Sequence, residues 1–398
     1  MNILEIVWEY PPHVVGGIGS HIAALAPELS RLGASVHVLT PRLREAPAFE
    51  IVAHGLKIHR VAPPVLSHDV FVDAQQTNVC LEQAADELFA QSGPFDVIHA
   101  HDWLVALAAI TLKQRYKIPL TATIHATERG RWQGQLHNSM SHSIANMEWW
   151  LTYEAWRVIT VSQFMAQELR DYFHLPADKI DVVPNGVDTA PFDWLDAVNL
   201  AEFRARYAEP QQPIIFSVGR MVYEKGTHLL LAAAPRILAE IPNVCFVLAG
   251  TGPRRDALVE RVKLLGLEEQ IKLIGFVSDA DRNALFRVAN CVALPSLYEP
   301  FGIVALEAMA ARCPVVVSSV GGFAEVVQHE ETGLTVYPNS AEALAGGILR
   351  VLQHPAEAHV RTQRAYHYVQ HAYNWRHIAE QTLERLQRVV SERKRVVW

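Results

Sequence analysis

The sequence predicts an α/β protein made of two doubly wound domains. Strand-length apolar runs alternate with helical periodicity over most of the chain, as parallel sheets covered by helices require. The alternation breaks at a stretch rich in Asp and Pro, Thr189 to Asn199, and then restarts. The 398 residues are also enough for two domains of about 200 each.

In the first series, Asn2–Trp8 is an apolar β run. Gly17–Leu32 has helical periodicity and ends at Gly33, a suitable C-cap. Ser35–Thr40 and Phe95–His99 read as strands, Trp103–Tyr116 as a helix, and Pro119–His125 and Val158–Val161 as further strands. Ser162 reads as the N-cap of a helix over Gln163–Phe173. The second series has strands at Pro213–Val218, Val244–Ala249, Ile271–Ile274, Val292–Leu294 and Pro314–Val317, with helices over Thr227–Leu238 and Ile303–Arg312. Thr189 to Asn199 reads as the linker between them. The tail, Trp375 to Val397, has helical periodicity and ends in Arg393-Lys394-Arg395. That end is either a solvated helix face or a basic patch for a membrane surface or partner, so peripheral membrane contact stays open. Doubly wound domains put ligand-binding loops at the carboxyl ends of their strands, and two that face each other make a deep cleft.

Composition narrows the function. Half the residues are apolar and 19% are charged, which fits a soluble protein with full cores. No apolar run approaches the ~20 residues of a membrane span. Met1 to Glu5 carries an acid inside its apolar stretch and reads as a first strand, not a signal peptide. A net charge of −7 argues against non-specific nucleic-acid binding. The cysteines (Cys80, Cys245, Cys291, Cys313) form no CxxC pair, and buried thiols in a reducing, cytoplasmic setting are expected. The 19 histidines show no HExxH or similar spacing, so no metal is expected.

The segment Glu299-Pro300-Phe301-Gly302-Ile303-Val304-Ala305-Leu306-Glu307 carries the most chemistry. A Gly turn that opens a helix favours an anion, because free N–H groups and the helix dipole both point at it. Glu307 lies roughly 7 Å further along at ~1.5 Å per residue, a reach that matches phosphate to ribose. Glu299 precedes the turn and projects toward whatever the phosphates carry. Arg220 and Lys225, in the loop Gly219 to Gly226 after the first strand of the second series, suit a diphosphate as a fork and a point charge. Taken alone, that loop reads equally as a surface turn.

Weaker signals surround this pair. Gly16-Gly17, after Tyr10-Pro11-Pro12, permits close backbone approach to a ligand, but its spacing is not GxGxxG, which disfavours a nicotinamide dehydrogenase. His101 and Asp102 end one strand and His125 the next, so all three are expected to face the ligand. They bind a polar substrate, cap helices or hold a metal, and the missing ligand spacing disfavours the last. Residues 126–141, with Glu128 and Arg129, read as a mobile acceptor loop or a packed connection. Turns at Gly250 to Pro253, including Gly252, and at Gly275 to Ser278, including Val277, can approach a nucleotide base through their backbone. Gly321-Gly322 reads as the opening of another helix.

Together Glu299 to Glu307, Gly219-Arg220 with Glu224-Lys225-Gly226, Pro184-Asn185-Gly186-Val187-Asp188 and the Gly16-Gly17 loop resemble glycosyltransferase family 4 over essentially the whole chain. The resemblance implies the GT-B fold: two Rossmann-like domains facing across a deep cleft, with residues 1–188 as the acceptor domain, 189–372 as the donor domain, and 373–398 as a helix returning to the first. It implies that Arg220 and Lys225 hold the donor diphosphate together with the N–H groups of Gly302 and Ile303. Glu307 would bond the ribose and Glu299 the transferred sugar. Gly17 would approach the phosphates, His125 the reacting sugar, and Val277 the base.

Within the family, Glu9-Tyr10-Pro11-Pro12, Gly16-Gly17, His101-Asp102-Trp103 and His125 are similar to the bacterial and archaeal glycogen synthase group, which uses ADP-glucose or UDP-glucose. Val14 stands where the larger glycogen and starch synthases carry a Lys, which points to the shorter branch. The expected activity is retaining transfer of a hexose, glucose above all, to a sugar or α-glucan, with no cofactor required. Alternatives are transfer of mannose or another sugar to a glycoside or lipid, nucleotide-sugar epimerisation, and an inactive nucleotide-sugar-binding scaffold.

Overall fold

The computed structural model describes residues 1–67 and 69–396. The chain divides into two compact units, Met1–Asn185 with Trp375–Trp398, and Gly186–Asn374. Val397, the last residue of the expected tail helix, lies outside the described residues; the helix itself runs over Trp375–Arg393.

The first unit is built on β1 (Asn2–Ile6), β2 (Ser35–Pro41), β3 (Phe49–Ile51), β4 (Lys57–Val61), β5 (Val97–His101), β6 (Leu120–Ile124), β7 (Arg157–Thr160) and β8 (Ile180–Val182). Their order is β3-β4-β2-β1-β5-β6-β7-β8, with the β3–β4 pair antiparallel and all other pairs parallel. Such sheets are covered on both faces, which explains why β5 and β6 have no exposed residue. On one face the helix Gly17–Arg31 packs Ile22, Leu25 and Leu29 against Ile3, Val36 and Val38, and the C-terminal helix adds Ala379, Leu386 and Val389 to the same cluster. Trp156 donates from Nε1 to Glu392 at 2.9 Å, fixing that helix near its end. Ser162 caps the helix Gln163–Phe173 by accepting from Met165 N–H.

The second unit has β9 (Ile214–Val218), β10 (Cys245–Ala249), β11 (Ile271–Gly275), β12 (Cys291–Leu294), β13 (Val315–Ser318) and β14 (Leu334–Val336), in the order β11-β10-β9-β12-β13-β14. Phe246, Ile215 and Ala293 meet Leu230, Leu231 and Ile237 from the helix Thr227–Glu240, and Leu344 and Ile348 from the helix Ala341–Gln353. Cys245, Cys291 and Cys313 are buried free thiols. Among the described residues no helix is long and apolar enough to cross a membrane.

Thr189 to Asn199 is not a bare linker. Ala190–Asp193 and Trp194–Ala197 are helical turns that bury Phe192 and Leu195 in the second unit. Arg312 pairs with Asp193 at 3.2 Å and with Asp196 at 2.6 Å, and Tyr366 donates to Asp193 at 2.6 Å. The acids that mark the stretch as irregular in sequence are thus partners for cations far along the chain. Strand β5 is shifted two residues from the expected Phe95–His99, so His101 belongs to the sheet.

At the β2–β4 edge His37 and His59 stack at 5.1 Å, and Lys57 Nζ lies 3.3 Å from His37 Nε2. Burial, and then the Lys57 charge, lower both imidazole pKa values to about 4. The unfolded chain, with histidine pKa near ~6.5, binds protons that the folded chain refuses. Stability is therefore expected to fall as pH drops from ~6.5 toward 4. Urea midpoints at neutral and acid pH should show a smaller acid loss in a His37→Gln, His59→Gln double variant than in the parent.

Candidate functional site

In a doubly wound sheet the ligand crevice opens where the strand order reverses, at the carboxyl ends of the strands. In the second unit that point lies between β9 and β12. A pocket there is lined by Ser217, Gly219, Lys225, Ser296, Glu299 and Val304. Lys225 Nζ donates to Glu299 Oε2 at 2.7 Å, and Ser296 Oγ donates to the same oxygen at 3.2 Å. Arg220 is half-exposed and pairs with Glu224 at 3.5 Å. Glu307 lies one helical turn past the Gly302 N-cap, with Oε1 3.1 Å from Arg282. Burial raises the Glu307 carboxyl above its ordinary range while Arg282 pulls it back.

The helix Ile303–Ala310 starts at Gly302, which has φ +107°, and no side chain caps it. Its first N–H groups are therefore left for an incoming acceptor. The turn is wedged against a second one. A Cβ on Gly302 would lie 2.4 Å from the Phe323 ring, and one on Gly322 would lie 2.2 Å from Phe301 Cα. Gly322 N–H also donates to the Glu299 carbonyl at 2.8 Å. Gly321-Gly322 thus does more than open a helix: it lets the Phe301-Gly302 turn sit flush on its neighbour. Gly252 has φ +151°, and its missing Cβ makes room for the Met221 carbonyl. Val277 follows β11 and is part-buried beside exposed Phe276.

The first unit reverses strand order between β1 and β5. The Gly16-Gly17 loop follows β1, and its N–H groups already have an acceptor. Glu9 Oε2 receives Val15 N–H at 2.8 Å and Gly16 N–H at 3.0 Å. Beneath the loop lies a chain of buried polar groups. Glu5 in β1 meets His99 Nδ1 at 3.1 Å and His101 Nε2 at 2.9 Å. His101 Nδ1 is 3.2 Å from His125 Nε2, and His21 Nδ1 is 2.6 Å from Asn185 Oδ1. Burial works against charge on Glu5, but His99 and His101 hold its pKa down at about 2. Burial lowers His21 to about 3, His101 to about 4 and His125 well below its usual value, so all three rings are neutral at pH 7.

Four residues expected to meet an acceptor are placed otherwise. His101 has no exposed surface, and both its nitrogens face protein groups. Asp102 is buried at φ +57°, and its Oδ1 accepts His125 N–H at 2.7 Å, clamping one strand tip to the next. Burial raises Asp102 to about 7. Glu128 and Arg129 sit in a helical turn, Glu128–Arg131, capped by Thr127 rather than in an open loop. Glu128 accepts from Trp132 Nε1 at 2.9 Å, and Arg129 lies over the Tyr172 ring. His125 turns its ring inward, with Nε2 at His101 and its edge against the His21 ring at 4.7 Å between centroids.

Sequence reading missed Glu5, Glu148 and Arg282. Glu148 is buried in the helix Ser139–Glu154 and accepts Glu128 N–H at 2.8 Å, which ties down the acidic turn. An acid within an apolar run was the available signal for Glu5. Nothing local marks Arg282.

Residues 15–191 match the model for Glycosyltransferase Family 4, and residues 200–368 that for Glycosyl transferases group 1. An uncharacterized glycosyltransferase of Methanocaldococcus jannaschii is 38% identical over 392 residues, spanning 96% of this chain and 97% of that one. The chain belongs to glycosyltransferase family 4. Glycogen synthase of Mycobacterium tuberculosis is 33% identical over 397 residues, covering 96% of this chain and 94% of its own. Among solved structures, sucrose-phosphate synthase from Thermosynechococcus elongatus matches with a TM-score of 0.84 at 26% identity, covering 98% and 99% of the two chains. This glycosyltransferase therefore has the GT-B fold, with one Rossmann-like sheet per unit.

Packing of the anion turn gives a test with two signs. Gly302→Ala forces a side chain into left-handed backbone against Phe323 and is expected to cost about 1–3 kcal/mol or more in urea unfolding. Gly346→Ala, inside the helix Ala341–Gln353 with open space at the Cβ position, is expected to add about 0.5–1 kcal/mol.

Proposed function

We propose that this family 4 enzyme transfers glucose from ADP-glucose or UDP-glucose to a sugar or α-glucan acceptor, with retention at the anomeric carbon. The observation that carries the reading is the Lys225–Glu299 pair beside the uncapped helix start at Gly302, at the strand-order reversal of the second unit. The 33% identity to a glycogen synthase supports glucose as the sugar.

The diphosphate takes the N–H groups of Gly302 and Ile303 and draws Lys225 and Arg220 onto its oxygens. Each of those cations has a carboxylate partner to give up, Glu299 and Glu224. Glu299, released from Lys225 but still held by Ser296, turns to the hydroxyls of the sugar. Glu307, aimed by Arg282, bonds the ribose. Val277 offers its backbone to the base, with the Gly252 turn beside it. Within the first unit, His101 and Asp102 hold His125 in place.

Bond cleavage at the anomeric carbon puts negative charge on the departing diphosphate. Arg220 and Lys225 stabilise that charge, so turnover is expected without added metal. The leaving phosphate oxygen takes the proton of the acceptor hydroxyl, which attacks from the same face, and no protein nucleophile is needed.

Lys225→Ala is expected to lower kcat by roughly 10²- to 10³-fold, as loss of one transition-state donor does. Circular dichroism should show the fold intact, and near-normal turnover would remove Lys225 from this role. In a thermal-shift panel of ADP-, UDP- and GDP-sugars, the true donor at ~100 times its Kd should add about 2.7 kcal/mol. Donor incubated alone should yield no epimer.

A further inference from the structure

The first unit contains three neutral imidazoles whose unused nitrogens converge. One ring nitrogen each from His21, His101 and His125 lies within 4.8 Å of the others. The far nitrogens of His101 and His21 are occupied. His101 Nε2 faces the ionised Glu5 and so carries the proton, which leaves the lone pair on Nδ1. His21 Nδ1 donates to Asn185 Oδ1, which leaves its lone pair on Nε2. That Nε2 is buried and has no hydrogen-bond partner, in a residue only 4% exposed. A lone pair left bare in the interior costs free energy unless something fills it.

Carboxylate and carbonyl groups on the far nitrogens are what orient histidines that ligate a metal. Zinc–imidazole bonds of about 2.0–2.1 Å put tetrahedral ligand nitrogens about 3.4 Å apart. His101 Nδ1 and His125 Nε2 already stand 3.2 Å apart. All three rings are buried, so an ion among them would be shielded from water.

We infer that His21, His101 and His125 form a binding site for a divalent cation of the zinc class, with Glu5 and Asn185 as its outer supports. In the metal-free chain His125 donates its Nε2 proton to His101 Nδ1; binding moves that proton to His125 Nδ1, and no redox change is involved. Asp102 stays outside the ligand set because its Oδ1 holds the His125 backbone. An ion here withdraws His125 from the sugar contact that the family resemblance implies, so the two uses exclude each other, and the metal site rests on the convergence of the three rings alone.

The test uses the full, untagged chain, stripped with chelator and reloaded with Zn²⁺ alone or Co²⁺ alone. After gel filtration, elemental analysis should find about one ion per chain, and the cobalt form should show the intense visible bands of a tetrahedral site. His125→Ala should reduce binding to below roughly a tenth of an ion, and Asn185→Ala should weaken it about 10- to 100-fold. His329→Ala, in the other unit, should change nothing. A parent chain that retains no metal would overturn the proposal, and so would metal that survives in folded His125→Ala.

Discussion

The ion pair between Lys225 and Glu299 is the constraint on which the donor side of this glycosyltransferase depends. Both side chains are mostly withdrawn from water, with 24% and 9% of their surface exposed. Removing one partner of such a pair strands the other, at a cost of about 3–5 kcal/mol when burial is complete. The pair therefore ties the loop after β9 to the turn after β12 and holds the strand-order reversal in one shape. In the proposed donor site it holds a cation and an anion where a diphosphate sugar would offer the opposite charges. The same geometry that stabilises the empty unit is thus primed to exchange partners.

The supporting contacts serve that turn. Gly302 and Gly322 give up side chains so that Phe301 and Phe323 can pack backbone against ring. Arg282 does for Glu307 what Lys225 does for Glu299, giving a mostly buried carboxylate a cation to face. In the first unit the equivalent reversal is organised by acids as well. Glu9 fills the N–H groups of the glycine loop, and Glu5 sits under the histidines. Each unit therefore uses a buried acid at the switch point to set the position of neighbouring polar groups.

Legibility in the sequence followed distance along the chain. Strands such as β10 and β12 are unbroken apolar runs, and a parallel sheet buried on both faces demands such runs. Glu299, Gly302 and Glu307 lie within nine residues, so their turn-and-helix geometry could be read locally. The partner of Glu307 could not: Arg282 comes from the preceding helix, Asp279–Val288, and only folding brings the two together. The stretch from Thr189 to Asn199 misled for the same reason, since its Asp residues look solvated until Arg312 and Arg287 arrive. Histidine spacing was equally silent. His21 stands on a helix while His101 and His125 end separate strands, so their convergence has no linear motif. Glu5 was visible as an acid in an apolar strand, a conflict that buried function often leaves in a sequence.

The most direct test of the donor-site account is a crystal structure of the chain with ADP or UDP bound. The expected result is diphosphate oxygens within hydrogen-bond distance of Lys225 Nζ and of the Gly302 and Ile303 N–H groups, the Lys225–Glu299 contact broken, and a ribose hydroxyl on Glu307. Nucleotide bound elsewhere, with the Lys225–Glu299 pair intact and the helix start at Gly302 bare, would contradict it.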